Sequence, residues 1–178
     1  MDALFTTAPD FDQPIAVLKH CHDRIRKQLS TLQQLPAYLA EHGANAEAQR
    51  AAAAVMKYFN QAAVHHHEDE ECDLLPMLQA TAQGEDAVLL QQRTPQVTQE
   101  HHQMDAIWER LNRALQTIAI GASASLSNED VDAFCAAYTA HMQMEETDIA
   151  PMAKRIFSAA QLTQLGQAMR SRRNIPTQ

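Results

Sequence analysis

Glycine is scarce in this sequence, with four in 178 residues. Few positions can therefore break a regular backbone, and a turn-rich sheet fold is disfavoured. Aromatic residues make up only 5%. The core must be built from aliphatic side chains, methionine and alanine, a mixture that favours helix over sheet. Positive charge is also short: 14 Lys and Arg face 22 Asp and Glu, for a net charge of −8. Sequence-independent phosphate binding needs a cationic surface, so nucleic acid is not an expected partner. No run of about 18 apolar residues occurs, so no membrane-spanning segment is expected. The three cysteines, Cys21, Cys72 and Cys135, lie far apart and form no C-x-x-C. That spacing reads as reduced thiols of a cytoplasmic protein rather than a disulfide framework. The segment MDALFTTAPDFDQP at 1–14 carries acids where a secretory signal carries bases, and it lacks an apolar stretch.

What is present is helical periodicity. Four long segments place apolar residues three and four apart, the pattern of a helix with one buried face. The first begins near Pro14, with the stripe Leu18, His22, Ile25, Leu29, Leu32. Pro36 is expected to bend or interrupt it before Gly43 ends it. The second runs from about 45 to 83 with the stripe Val55, Phe59, Ala62, His66, Glu70, Leu74, Met77. Pro76 predicts a late kink, and Gly84 suits a C-terminal cap. A connector with a short helix over 86–92 is expected to precede Thr94-Pro95. The third long helix then carries Val97, His101, Met104, Trp108, Leu111, Leu115, Ile118.

Ser127 followed by Glu129 and Asp130 reads as an N-cap with acids in the first turn. The fourth helix follows, with Val131, Phe134, Tyr138, His141, Glu145, Ile149, Met152 and a late kink at Pro151. A short terminal helix starts at Ser158, with Gln161 in capping-box position, and ends in the cations Arg170 to Arg173. The expected fold is all-α: an up-down-up-down four-helix bundle over 14–178 with a short C-terminal helix, preceded by a tail over 1–13.

The chemistry lies in where the histidines fall. Of nine, four sit inside the apolar stripes, one per helix: His22, His66, His101 and His141. Two of these are followed four residues later by a carboxylate, Glu70 and Glu145. Positions i and i+4 share a helix face, so each H-x-x-x-E aims an imidazole and a carboxylate at one point in the core. Buried carboxylates without partners are costly. Two of them among four imidazoles make sense when metal ions neutralise the charge, and this donor set suits iron, zinc, manganese or nickel. Glu146 is the rival of Glu145. Asp105, one turn past His101, is a candidate further ligand or hydrogen-bonding base. His65 and His67 lie about 100° to either side of the His66 seam and are expected at the solvated surface. Glu71 is expected behind a ligand or at the surface.

An internal repeat reinforces the register. FNQAAVHHHEDEECDLLPM (59–77) aligns without gaps on FCAAYTAHMQMEETDIAPM (134–152). It pairs Phe59 with Phe134, His66 with His141, Glu70 with Glu145, Glu71 with Glu146, Asp73 with Asp148 and Pro76 with Pro151. His22 and His101 stand in equivalent places in the two preceding helices. The chain thus reads as two helical hairpins, each giving one His and then His-x-x-x-Glu, which is a plan for a dinuclear site.

These motifs, HHEDEECDLLP (66–76) and HMQMEETDIAP (141–151) with a lone His on each of the other helices, resemble the hemerythrin-like (HHE cation-binding) family over about 14–155. The resemblance implies two irons, oxo- or hydroxo-bridged, held by His22, His66, Glu70, His101, His141 and Glu145, with the carboxylates bridging. Oxygen-carrying hemerythrins have a further histidine one turn past the third-helix ligand, where this chain has Asp105. The four-His two-Glu set is similar to that of the iron-sulfur cluster repair di-iron proteins, whose small cysteine-containing N-terminal domain this chain lacks. Two readings stay open at this point. One is binding or sensing of a diatomic ligand, O2 or NO. The other is a redox enzyme acting on peroxide or NO, or donating iron for cluster repair. No motif specifies an electron donor.

Overall fold

The computed structural model describes residues 10–176. Most of the N-terminal tail expected over 1–13, namely 1–9, lies outside the described residues. Among the described residues there are five helices and no strand. Helix α1 is Pro14–His42, α2 covers 46–81, α3 is Glu85–Ala119, α4 covers 128–156 and α5 is Ala159–Arg172. Each long helix packs on the next, and α4 returns to α1. With the short connections between them, this is the all-α up-down-up-down bundle that the periodicity predicts. No helix among the described residues is long and apolar enough to cross a membrane.

Local chemistry sets the helix ends. The Asn45 side chain accepts from the backbone N–H groups of Glu47 and Ala48. Ser127 accepts from that of Asp130, and Ser158 with Gln161 forms a reciprocal capping box. Gly43, at φ 63°, closes α1 in the left-handed region.

Two prolines leave their helices unbroken. Helix α1 continues through Pro36 without interruption. Residues 86–92 are not a separate short helix, because α3 runs unbroken from Glu85 through Pro95. The lost bond to the carbonyl of Gln91 is outweighed by anchors on both sides: Leu90 and Val97 are buried, and Arg93 Nε donates to Asp148 Oδ2 at 2.7 Å. Gly84 consequently precedes α3, with φ 57°, instead of capping α2. Pro76 and Pro151 each follow a widened π-turn, Glu70–Leu74 and Glu145–Ile149. There the N–H of Leu75 reaches back five residues to Glu70, and that of Ala150 to Glu145. A proline ring crowds the carbonyl four residues before it, and the wider turn supplies the space. A third π-turn, Tyr58–Ala62, lies earlier in α2.

The apolar core falls into two layers. One contains Ile25, Leu32, Val55, Phe59, Leu115 and Phe134. The other contains Leu18, Leu74, Leu78, Val97, Ile149 and Met152. In each of the four long helices the seam histidine lies between them. The polar site is thus a single slab closed above and below by hydrocarbon. Helix α5 packs on α1 and on the middle of α2.

Candidate metal centre

The slab collects two groups of side chains. His22, His66, Glu70 and Glu145 form one, and His67, His101 and His141 the other. Within each group, one donor atom per residue lies within 4.8 Å of those of the others. All six residues singled out from the sequence are buried and brought together.

The carboxylates sit between the groups. Glu70 presents Oε1 to His66 Nε2 at 3.0 Å and Oε2 to His101 Nε2 at 3.3 Å. Glu145 Oε2 lies 3.1 Å from His22 Nε2 and 3.4 Å from His141 Nε2. The arrangement repeats the duplication: each lone histidine faces the glutamate of the other hairpin.

Tautomers follow from what lies behind the rings. His22 Nδ1 is 2.9 Å from Glu146 Oε1, His101 Nδ1 is 2.5 Å from Glu71 Oε1, and His141 Nδ1 is 2.8 Å from Glu100 Oε2. A carboxylate only accepts, so each Nδ1 carries a proton, and in the neutral ring, the form that ligates a metal, each Nε2 turns a bare lone pair inward. His101 Nε2 and His141 Nε2 face one another at 3.1 Å, and two neutral rings with protonated Nδ1 would have no proton to share between them. Further in, His22 Nε2, His66 Nε2, Glu70 Oε2 and Glu145 Oε2 are buried without a hydrogen-bond partner. Converging lone pairs and anionic oxygens repel unless a cation lies among them, so the residues present fit metal binding. A ligating imidazole held from behind by a carboxylate is the usual support of such a site.

Without a metal the electrostatics are strained. Burial drives Glu70 well above the usual carboxylate range, and the neighbouring Glu145 adds to it. Glu145 is also buried, but His141 and His22 beside it win and lower it. Burial opposes charge on His22 too, yet the surrounding glutamates hold it up to about 8. His66 and His67 are pushed well down, first by burial and then by neighbouring imidazoles. Charge is thus divided unevenly over groups that a pair of cations would satisfy together.

Residues 13–153 match the family described as the hemerythrin HHE cation binding domain. The chain belongs to that family. It is also similar to a protein of Haemophilus influenzae described as uncharacterized, at 27% identity over 165 residues covering 93% of this chain and 92% of the relative. Hemerythrin-family membership and the His/Glu cluster agree on cation binding and on the four-His two-Glu pattern.

Within this hemerythrin fold, several residues take places that the sequence left open. Glu145 points into the slab, while Glu146 stands behind His22, gripped by Arg26 Nη2 at 2.8 and 2.9 Å. Glu71 stands behind His101, and Glu100, not singled out from the sequence, behind His141. Glu100 is held by Gln96 at 2.7 Å. Asp105 is exposed and belongs to neither group. His65 stays outside, paired with Glu68 at 3.3 Å.

His67 corrects the surface expectation. Its ring stacks on His101 at 3.8 Å and 10°, and its Nε2 lies 3.3 Å from the Tyr138 hydroxyl. Consecutive helical side chains diverge by about 100°. At the centre of a seam, His66 therefore turns to the His22 side and His67 to the His101 side. Two neighbouring residues can do this only because the site has two halves. The sequence signal was the triple histidine on α2, taken with an aspartate where related proteins carry a fifth histidine on α3.

Proposed function

We propose that this hemerythrin-family chain is a non-heme di-iron protein that binds or senses a small diatomic ligand, O2 or NO. The observation that carries the reading is the facing of His101 Nε2 and His141 Nε2 at 3.1 Å. Each is oriented by a glutamate on its far side, so neither can turn away. Glu70, with one oxygen toward each group, supports two cations over one. His22, His66, His67, His101 and His141, with Glu70 and Glu145, would hold the ions. Bound ferrous ions would supply reversible ligand binding and one-electron redox chemistry. The chain's own part is to exclude bulk water with the two apolar layers, fix the imidazole tautomers and anchor Glu71, Glu100 and Glu146 from outside.

A second reading, a redox enzyme acting on peroxide or NO, is favoured by one feature: the opening beside His22, Glu70 and Glu145 encloses about 280 Å³, far more than a diatomic needs. Anaerobic loading with ferrous iron, metal counting, and optical spectra on exposure to air and to NO test both. About two irons per chain and new near-ultraviolet charge-transfer bands are expected of a dinuclear imidazole–carboxylate site. Steady consumption of ligand and reductant above the free-iron background selects the enzyme. Folded protein that takes up no iron overturns both.

A further inference from the structure

The opening beside the centre has a chemistry of its own. Its floor is His22, Glu70 and Glu145, each buried, with His22 Nε2, Glu70 Oε2 and Glu145 Oε2 lacking hydrogen-bond partners. Its walls are hydrocarbon: Ile15 and Leu18 of α1, Leu74 of α2, and Ile149 and Pro151 of α4. Leu74 and Ile149 close the two π-turns that begin at Glu70 and Glu145, so the widened backbone shapes the wall and places the carboxylates together. Lys19 and Lys154 stand at the lining's exposed edge. Neither has a carboxylate within ion-pair distance among the described residues. Glu146, also in the lining, is already engaged by Arg26 and His22.

An apolar shaft with unpaired cations at its rim and a polar floor is built for a molecule with one anionic head and a hydrocarbon body. The volume of about 280 Å³ lies near the lower end of small-molecule pockets, about 300 Å³. At about 30 Å³ per water-sized group, it takes roughly nine such groups. We infer that the Lys19–Lys154 opening binds a medium-chain monocarboxylate, its head at the two lysines and its chain running between Leu18, Leu74 and Ile149 toward the centre. The inference rests on the metal-centre reading only for what lies at the floor. It names an organic ligand for the opening, in addition to any diatomic at the metals.

Calorimetric titration of hexanoate into iron-loaded protein tests it, with acetate and hexan-1-ol as probes lacking the chain or the charge. Iron is counted, and the near-ultraviolet bands recorded, on the same samples before titration. Saturable one-to-one binding of hexanoate is expected, with acetate and hexan-1-ol each at least about tenfold weaker, or about 1.4 kcal/mol. The variant K19Q/K154Q is expected to lose at least about tenfold in hexanoate affinity with its iron count unchanged. Ile149→Trp, which fills the shaft, should abolish binding. Hexanoate bound equally well by K19Q/K154Q, or hexan-1-ol bound as tightly as hexanoate, would overturn the assignment, as would no saturation in protein that holds two irons. Failure to hold iron at all would instead sink the metal-centre reading, and hexanoate binding that depends on the lysines would still stand in that protein.

Discussion

Three imidazoles at the centre owe their orientation to glutamates outside it. Glu100 illustrates the consequence: its carboxylate accepts from His141 Nδ1 and from the Gln96 amide. Glu100→Gln keeps the size but can present its amide donor to Nδ1 and spoil the tautomer. Metal affinity is expected to fall about 10- to 100-fold, read by competition with a chromophoric chelator, with no change in helical circular dichroism. His67→Ala should lower the iron count from two toward one, whereas His65→Ala should leave two. Equal counts in both variants would return His67 to a packing role. The thiols differ at the same scale. Burial pushes both Cys21 and Cys135 up to about 11, whereas Cys72 is exposed. Iodoacetamide at pH 8 should therefore alkylate Cys72 first, as mass mapping would show, because the thiolate is the reactive form.

At the scale of elements, α5 is fastened to the centre's supporting helix. Asp69, fully buried one residue before Glu70, is held by Arg172 and, at 2.6 Å, by Arg173. Arg172 also reaches Asp73 at 2.6 Å. The arginines that read in sequence only as helix-end cations are thus the partners of a buried acid. Removing both, in R172A/R173A, strands Asp69 and should cost about 3 kcal/mol, in the range for breaking a buried pair. Urea unfolding would show it as a lowered midpoint. Gly166 has a separate reason: a Cβ there would stand 2.0 Å from the Phe11 carbonyl oxygen. Gly166→Ala gains helix propensity of about 1 kcal/mol yet should lower thermal stability, since backbone must move to admit the methyl. A rise in the melting temperature would show that α5 and the segment around Phe11 are not packed this closely.

For the whole molecule, the centre sets stability against function. The two apolar layers bound a slab that buries two carboxylates side by side, open only through the Lys19–Lys154 shaft and the groove beside His67. Glu70→Gln replaces a carboxyl whose ionisation is opposed by burial and by Glu145 with an amide that has no charge to suppress. In chelator the variant should melt above the unaltered protein by a few degrees, since about 1 kcal/mol shifts a chain of this size by about 2–4 °C. It should also lose its paired iron. Calorimetry with and without metal reads both signs in one experiment. A lower melting temperature in chelator would mean that the Glu70 carboxyl is well satisfied without a cation.

The sequence by itself determined the helical class, the four seams and the six residues His22, His66, Glu70, His101, His141 and Glu145 that meet between them. Those features repeat along one dimension, as periodicity, as i to i+4 spacing and as a duplicated hairpin, and need no knowledge of neighbours. Only the tertiary structure decided that α3 runs through Pro95, because the anchoring contacts of Leu90 and Arg93 come from other helices. It alone placed Glu100 behind His141 and Asp69 under two arginines from the far end of the chain. It alone turned His67 inward, where a periodic face would leave it outside. A side chain at the edge of a seam can face solvent or a second half-site, and which one it meets depends on the helix packed across from it.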